Sequence, residues 1–139
     1  MKIAIINGPN LNLLGKREPG IYGSETFEDF FSRLKAKHSG VELSYFQSNV
    51  EGELINELHR IGFGVDGVVM NPGGYTHTSV AIADAISAIT APVIEVHISN
   101  IYAREEFRKH SIVSSKCKGS ISGLGLRGYD LAIQYFLAQ

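Results

Sequence analysis

Arg17 stands five residues before Tyr22, with Pro19 and Gly20 between them to bend the chain. That proximity has a chemical use. A free phenol has a pKa of about 10, so a tyrosine acting as a base near neutral pH needs a shift of roughly two to three units. This is about 3–4 kcal/mol of preference for phenolate, and a well-placed guanidinium is the kind of charge that supplies it. Taken by itself, the segment is more simply explained by a Tyr22 ring that anchors a loop. An acid to complement such a base is available in His97, which follows the apolar run Pro92-Val93-Ile94-Glu95-Val96. Glu95, two residues earlier, lies on the same face of an extended strand. A ring N–H donating to its carboxylate favours a charged imidazole able to protonate a leaving hydroxyl. A histidine whose ring only satisfies loop carbonyls is the plainer alternative.

Other polar groups gather at similar places. Asn71 ends the apolar run Val65 to Asn71, positioned to hydrogen-bond a substrate hydroxyl, and Thr76-His77-Thr78-Ser79 sets polar groups where the next helix begins. Asp84, seven residues after His77, falls on nearly the same helical face, although a solvated face explains it equally well. Arg104 and Arg108 are four apart on a predicted short helix, and two stacked guanidinium groups suit an anionic substrate, while charged runs of this kind also simply face water. Gly123-Leu124-Gly125-Leu126-Arg127-Gly128 matches GxGxxG between a predicted strand and helix. Only 11 residues follow it, too few for the next strand and the ribose-binding acid of a dinucleotide site, so it reads as a tight turn. The 5 histidines show no paired-ligand spacing, so no metal is expected. No lysine stands at a predicted strand end to form an imine. The expectation is chemistry without a cofactor.

These residues need a scaffold, and its pattern is plain. Strand-length apolar runs at Ile3 to Asn7, Val41 to Gln47, Val65 to Asn71, Pro92 to Val96 and Gly119 to Ser122 alternate with helix-period stretches. Ser24 or Thr26 caps a helix through Leu34, Ser48-Asn49 precedes a second, Thr78 or Ser79 caps a third, and Leu126 to Leu137 forms the last. Five β/α units, with strands apolar on both faces, predict a parallel sheet between two helical layers, a flavodoxin-like three-layer sandwich. Ligands in such sheets bind beyond the carboxyl ends of the strands, so the tails at Asn7, Asn71 and His97 should converge. Gly8 to Gly23 holds two prolines and four glycines, lacks periodicity and exceeds an ordinary connection, which marks residues 8–24 as a lid. One domain over residues 1–139 is expected from length and the absence of a linker. The formal net charge of −1 gives no field to gather nucleic acid, and the first apolar run is too short for a signal or membrane segment. A single cysteine, Cys117, excludes an internal disulfide and fits a reducing, cytoplasmic setting.

The stretches Ile6 to Gly15, Arg17-Glu18-Pro19 through Tyr22-Gly23, Asn71 to Ser79, Glu95 to Asn100, Ala103 to Arg108 and Gly123-Leu124-Gly125 together resemble the type II 3-dehydroquinate dehydratases, from the first strand to the last helix. The resemblance implies a cofactor-free lyase that converts 3-dehydroquinate to 3-dehydroshikimate through an enolate. It implies Tyr22 as the base at the carbon beside the ketone, Arg17 holding it as phenolate, His97 as the acid, and Asn10 holding a water near the enolate oxygen. Asn71, His77, Asp84, Ile98, Ser99 and Arg108 match substrate-binding positions, with the main chain at Ile98 and Ser99 taking the carboxylate. A homododecamer, a tetramer of trimers, is implied as well. Two rivals stand beside this reading. A receptor for a small carboxylate accounts for the arginines but not for a tyrosine beside an arginine opposite a histidine. A flavin protein wants a hydroxyl-rich loop where Gly8-Pro9-Asn10-Leu11 stands.

Overall fold

The computed structural model describes residues 1–16, 20 and 24–139. Its sheet contains β1 (Lys2–Asn7), β2 (Glu42–Gln47), β3 (Gly67–Asn71), β4 (Val93–His97) and β5 (Gly119–Ser122). All neighbours pair in parallel, in the order β2-β1-β3-β4-β5. Alternate residues of the central strands serve opposite cores, as a period of two requires. Ala4, Ile6, Val68 and Met70 pack against α2 (Glu51–Ile61) and α3 (Val80–Ala88). Ile3, Ile5, Val69, Ile94 and Val96 pack against α1 (Phe27–Lys37) and α4 (Arg127–Leu137). The flavodoxin-like, three-layer expectation holds, and burial on both faces explains why these strands carry no polar alternation.

Local chemistry sets the helix starts. Of the two caps open for α1, Thr26 is the one used, its Oγ1 accepting from Asp29 N at 3.2 Å. Ser79 does the same for α3, accepting from Ile82 N at 2.9 Å. Before α2, Ser48 Oγ accepts from Val50 N at 2.9 Å, one residue ahead of the helix, so that capping signal is displaced rather than absent. None of the described helices is long and apolar enough to cross a membrane.

Two expectations are corrected. The β4–β5 crossover is not built on a short helix carrying both arginines. It runs through three 3-10 turns, Ile101–Ala103, Glu106–Lys109 and Ser114–Lys116, with Arg104 closing the first and Arg108 inside the second. Side chains here compete for backbone donors: Asn100 Oδ1 accepts from Tyr102 N at 3.1 Å and Ser111 Oγ from Ser114 N at 3.1 Å. Such local bonds favour turns over a continuous helix. The helical phase between His77 and Asp84 fails likewise, since His77 ends the 3-10 turn Gly73–His77 and α3 starts only at Val80.

The last turn of α1 is tied to the first turn of α4 through Asp130, which accepts from Lys37 Nζ and lies 2.7 Å from His38 Nε2. Burial alone would raise this carboxyl. The bonds from Lys37 and His38 outweigh it and hold Asp130 below the ordinary aspartate value of 3.8. A depressed folded-state value contributes stability that is present above the unfolded value and lost as pH falls through the folded one. Asp130→Asn is therefore expected to melt below the wild type at pH 6–7, with the gap closing below about pH 4. Parallel thermal melts across that range check it, and a pH-independent gap would reject the charge pairing as its cause.

Candidate active site

The sheet register brings the strand ends into one row. Asn7 of β1 pairs with Gln47 of β2 and with Asn71 of β3, and His97 of β4 pairs with Ser122 of β5. β1 and β3 lie side by side although consecutive in neither sequence nor connection, which makes their carboxyl ends the point where strand order reverses. A cleft of about 140 Å³ opens there. That is the scale of a cavity of roughly 150 Å³ that takes a benzene-sized molecule, so the cleft has room for a small ring.

Each wall of the cleft comes from one strand tail. After β1, Pro9, Asn10, Leu11, Leu13 and Leu14 line it. The turn into this wall is tight: Gly8 N donates to Asn71 O at 2.7 Å, and a Cβ on Gly8 would lie 2.4 Å from the Pro72 carbonyl oxygen. Asn10 has φ +70°, the only non-glycine residue among those described in the left-handed region. Asn10 N donates to Asn49 Oδ1 at 3.0 Å, and Gln47 Nε2 donates to Gly8 O at 3.0 Å, which holds the conformation in place. Strain of this kind persists only where surroundings enforce it, and it commonly marks a functional turn.

Asn71, Gly73, Gly74 and His77 form the second wall. The Asn71 side chain is held at both ends: Nδ2 donates to Tyr129 Oη at 3.1 Å and Oδ1 accepts from Gly73 N at 3.0 Å. One Nδ2 hydrogen is left over for a ligand. Tyr129 Oη in turn donates to buried Asn7 Oδ1 at 2.8 Å. Burial pushes the Tyr129 phenol well above its ordinary value, so it stays a neutral donor and not a base. His77 Nδ1 is 2.7 Å from the His110 carbonyl oxygen, to which it donates, and its ring stacks at 24° with that of His97, centroids 6.5 Å apart. With Nδ1 committed to that carbonyl, Nε2 is the ring nitrogen left for a ligand.

The third wall is His97, Ile98, Ser99, Ile101, Arg104 and Arg108. His97 Nε2 lies 2.5 Å from Glu95 Oε2, and the pair is nearly enclosed, with side chains 8% and 1% exposed. Thr76 Oγ1 also donates to Glu95 Oε2, at 2.9 Å. Burial by itself would raise the Glu95 carboxyl, but His97 and the hydroxyls of Ser114 and Ser111 outweigh it and hold it below its ordinary range. Glu95 is thus an anion in the interior, fixed against the ring. Arg108 Nε donates to Glu105 at 2.9 Å and its guanidinium lies over Phe107, 5.0 Å from the ring centroid. Arg104 Nη1 reaches Ser99 Oγ at 3.5 Å.

The GxGxxG stretch is a brace for this wall. Gly123 N donates to His97 O at 3.1 Å and Gly125 N to Ile98 O at 3.0 Å. Gly123 has φ +89°, and a Cβ there would lie 2.9 Å from Asn100 Cβ, so only glycine makes the turn without strain. With both carbonyls turned toward the brace, the peptides after His97 and Ile98 are fixed in orientation.

Most of the residues named from the sequence therefore meet: Asn10, Asn71, His77, His97, Ile98, Ser99 and Arg108 all line one cleft. Asp84 does not; it is exposed on α3. Arg17 and Tyr22 lie outside the described residues. The sequence reading missed Tyr129, Ser111 and Ser114, placed Asn7 only as a strand end converging on the cleft, and placed Thr76 only as a helix-start polar group. A pair of serines 3 apart just after a charged run was the one signal available for the last two.

A parallel α/β sheet whose strand tails carry a carboxylate-held histidine, amide donors and guanidinium groups fits an enzyme with a small polar substrate. The comparisons make the class specific. The Dehydroquinase class II family matches residues 1–137. The chain is 53% identical over 137 residues to the 3-dehydroquinate dehydratase of Thermotoga neapolitana, covering 97% of this chain and 93% of that one. It is 54% identical over 135 residues to that of Caldicellulosiruptor bescii, covering 95% and 93%. The type II dehydroquinase of Butyrivibrio crossotus superposes with a TM-score of 0.95 at 47% identity, covering 99% of this chain and 97% of that one. The chain belongs to the class II dehydroquinase family and is an enzyme of the dehydratase class.

Proposed function

We propose that this enzyme removes water from 3-dehydroquinate to give 3-dehydroshikimate, on the shikimate pathway in the cytoplasm, with Tyr22 as general base and His97 as general acid. The observation that carries the reading is the His97–Glu95 pair, buried and 2.5 Å apart, at the mouth of a cleft with arginines on its rim. Loss of a hydroxyl β to a ketone needs a base, an acid and stabilisation of an enolate. Tyr22 takes the proton from the carbon beside the ketone, and the electron pair of that bond moves into an enolate. The enolate then re-forms the ketone as the carbon–oxygen bond of the hydroxyl breaks, and His97 gives its proton to the departing oxygen, which leaves as water. Exchange with solvent returns Tyr22 and His97 to their starting states.

Reach supports a part for the lid. Leu14 lines the cleft and Arg17 is 3 residues further on, so their Cα atoms stand within about 11 Å. Gly15 and Ser24 touch, a Cβ on Gly15 lying 2.7 Å from Ser24 O, so the chain from one to the other begins and ends at the same rim. Tyr22 is two residues before that return. Arg17 would hold Tyr22 as phenolate, and Asn10 a water at the enolate oxygen. Asn71, His77 and Arg108 take the substrate hydroxyls and carboxylate, together with the main chain at Ile98 and Ser99. Asp84, exposed on α3, would serve a neighbouring copy's cleft in a dodecamer built from trimers, a part of the reading that sedimentation of the purified protein tests directly.

The reaction itself is tested by mixing chelator-treated protein, without added cofactor, with 3-dehydroquinate and following the ultraviolet absorbance of the conjugated enone. Steady appearance of the product is expected. Binding without turnover by a folded protein would replace the lyase reading with that of a carboxylate receptor.

A further inference from the structure

We infer that the segment His110–Ser114 is a positioning brace for both histidines of the site, with Ser111 and Ser114 acting on the reaction through Glu95. The inference rests on the acid assignment proposed for His97. Ser111 Oγ donates to Glu95 Oε1 at 3.0 Å and to Oε2 at 2.9 Å, and Ser114 Oγ donates to Oε1. Thr76 and His97 occupy the remaining side of Oε2. Both oxygens of a carboxylate that is 1% exposed are thus covered by protein donors, so the hydroxyls replace the water an anion there would otherwise need. The same segment fixes the second histidine, because the carbonyl accepting from His77 Nδ1 is that of His110. Its own place is set by Ile112 N, which donates to Thr76 O at 2.8 Å, and by Val113, fully buried in the core beneath α3.

A hydroxyl-covered anion keeps Glu95 charged throughout turnover, and a fixed negative charge against Nε2 keeps a proton on the ring until the leaving oxygen takes it. Neutral cover would not. Other titratable or charged groups around the cleft are His77, from the turn after β3, whose ring stacks with that of His97, and Arg104 and Arg108 of the crossover. Cys117 packs against the core near this pair; burial pushes its thiol up to about 12, so it stays neutral. The two serines are therefore the groups through which the crossover controls the pair. They touch no substrate in this scheme.

The test is kcat and KM against pH for Ser111→Ala, Ser114→Ala, the double variant and Ser114→Thr. Losing the partner that orients a metal-bound histidine costs on the order of 10–100-fold, and a loss of the same order is expected where the partners act on a reacting histidine through a carboxylate. The expected result for the double variant is a loss of that size in kcat, KM within about threefold, and an alkaline limb of kcat moved to lower pH, because that limb reports loss of the proton from the acid in the bound complex. Ser114→Thr, which keeps the hydroxyl, should retain the wild-type profile. Loss of kcat with an unmoved limb, or a parallel rise in KM, would overturn the brace and leave a packing role. If the double variant does not fold, each single variant is judged by the same two readings. His97→Asn in the same series separates the two levels: wild-type turnover there removes the acid assignment, whereas an inactive His97→Asn beside unshifted serine variants removes the brace alone.

Discussion

His97→Asn is expected to lower kcat by about 10²–10⁴-fold while changing KM little, since a positioned general acid supplies that range. In energy the loss corresponds to about 3–5 kcal/mol of transition-state stabilisation. Stability should change less. Removing one partner of a buried ion pair usually costs about 3–5 kcal/mol because the other charge is stranded. Glu95 is not stranded, for Thr76, Ser111 and Ser114 still donate to it. A cost of about 1–3 kcal/mol, that of one lost bond to a buried group, is the expected outcome. Asparagine is preferred to alanine because its amide can still donate to Glu95. Rate measurement together with a denaturant melt decides the matter: a folded variant that retains more than a tenth of wild-type kcat would show that another group protonates the leaving oxygen.

How far the sequence carried this picture depended on the range of the interactions. The strands and the four long helices were legible because their signals are local: apolar runs such as Val65 to Asn71, and caps such as Thr26 and Ser79, act within one turn or one strand. Since side chains at strand ends in a parallel sheet point where the sheet opens, Asn71 and His97 could also be placed at one crevice from the sequence alone. The crossover resisted the same treatment. Arg104 and Arg108 have helical spacing, yet Asn100 and Ser111 take the backbone donors and convert the segment to turns. The supports of the site were illegible for a different reason. Tyr129 reaches Asn7 and Asn71 across separations of 122 and 58 residues, and Ser114 reaches Glu95 across 19; no spacing rule announces such contacts. The groups that touch the cleft follow from the strand ends, while the groups that hold those groups follow only from packing.

Tyr22→Phe should remove turnover as severely as His97→Asn, by about 10²–10⁴-fold in kcat, and for a cause that a second variant can isolate. No tyrosine among the described residues lines the cleft. Tyr129, which does reach Asn71, is kept neutral by burial, so the proposed phenolate base is Tyr22 of the lid. A phenol left to itself ionises at about 10, which leaves roughly one part in a thousand as base at pH 7. Arg17 is what would correct this, and the sign is fixed: a nearby guanidinium favours phenolate and extends activity toward lower pH. Arg17→Ala is then expected to move the acidic limb of kcat upward, toward about 10, with part of the lost rate recovered at high pH. Tyr22→Phe should recover nothing at any pH, because no phenol remains to ionise. Steady-state rates from pH 6 to 10 for the two variants distinguish them. If Arg17→Ala shows a uniform loss with an unmoved limb, Arg17 acts on the enolate or the substrate alone. If Tyr22→Phe keeps substantial activity, the base is elsewhere, and the lid serves only to close the cleft.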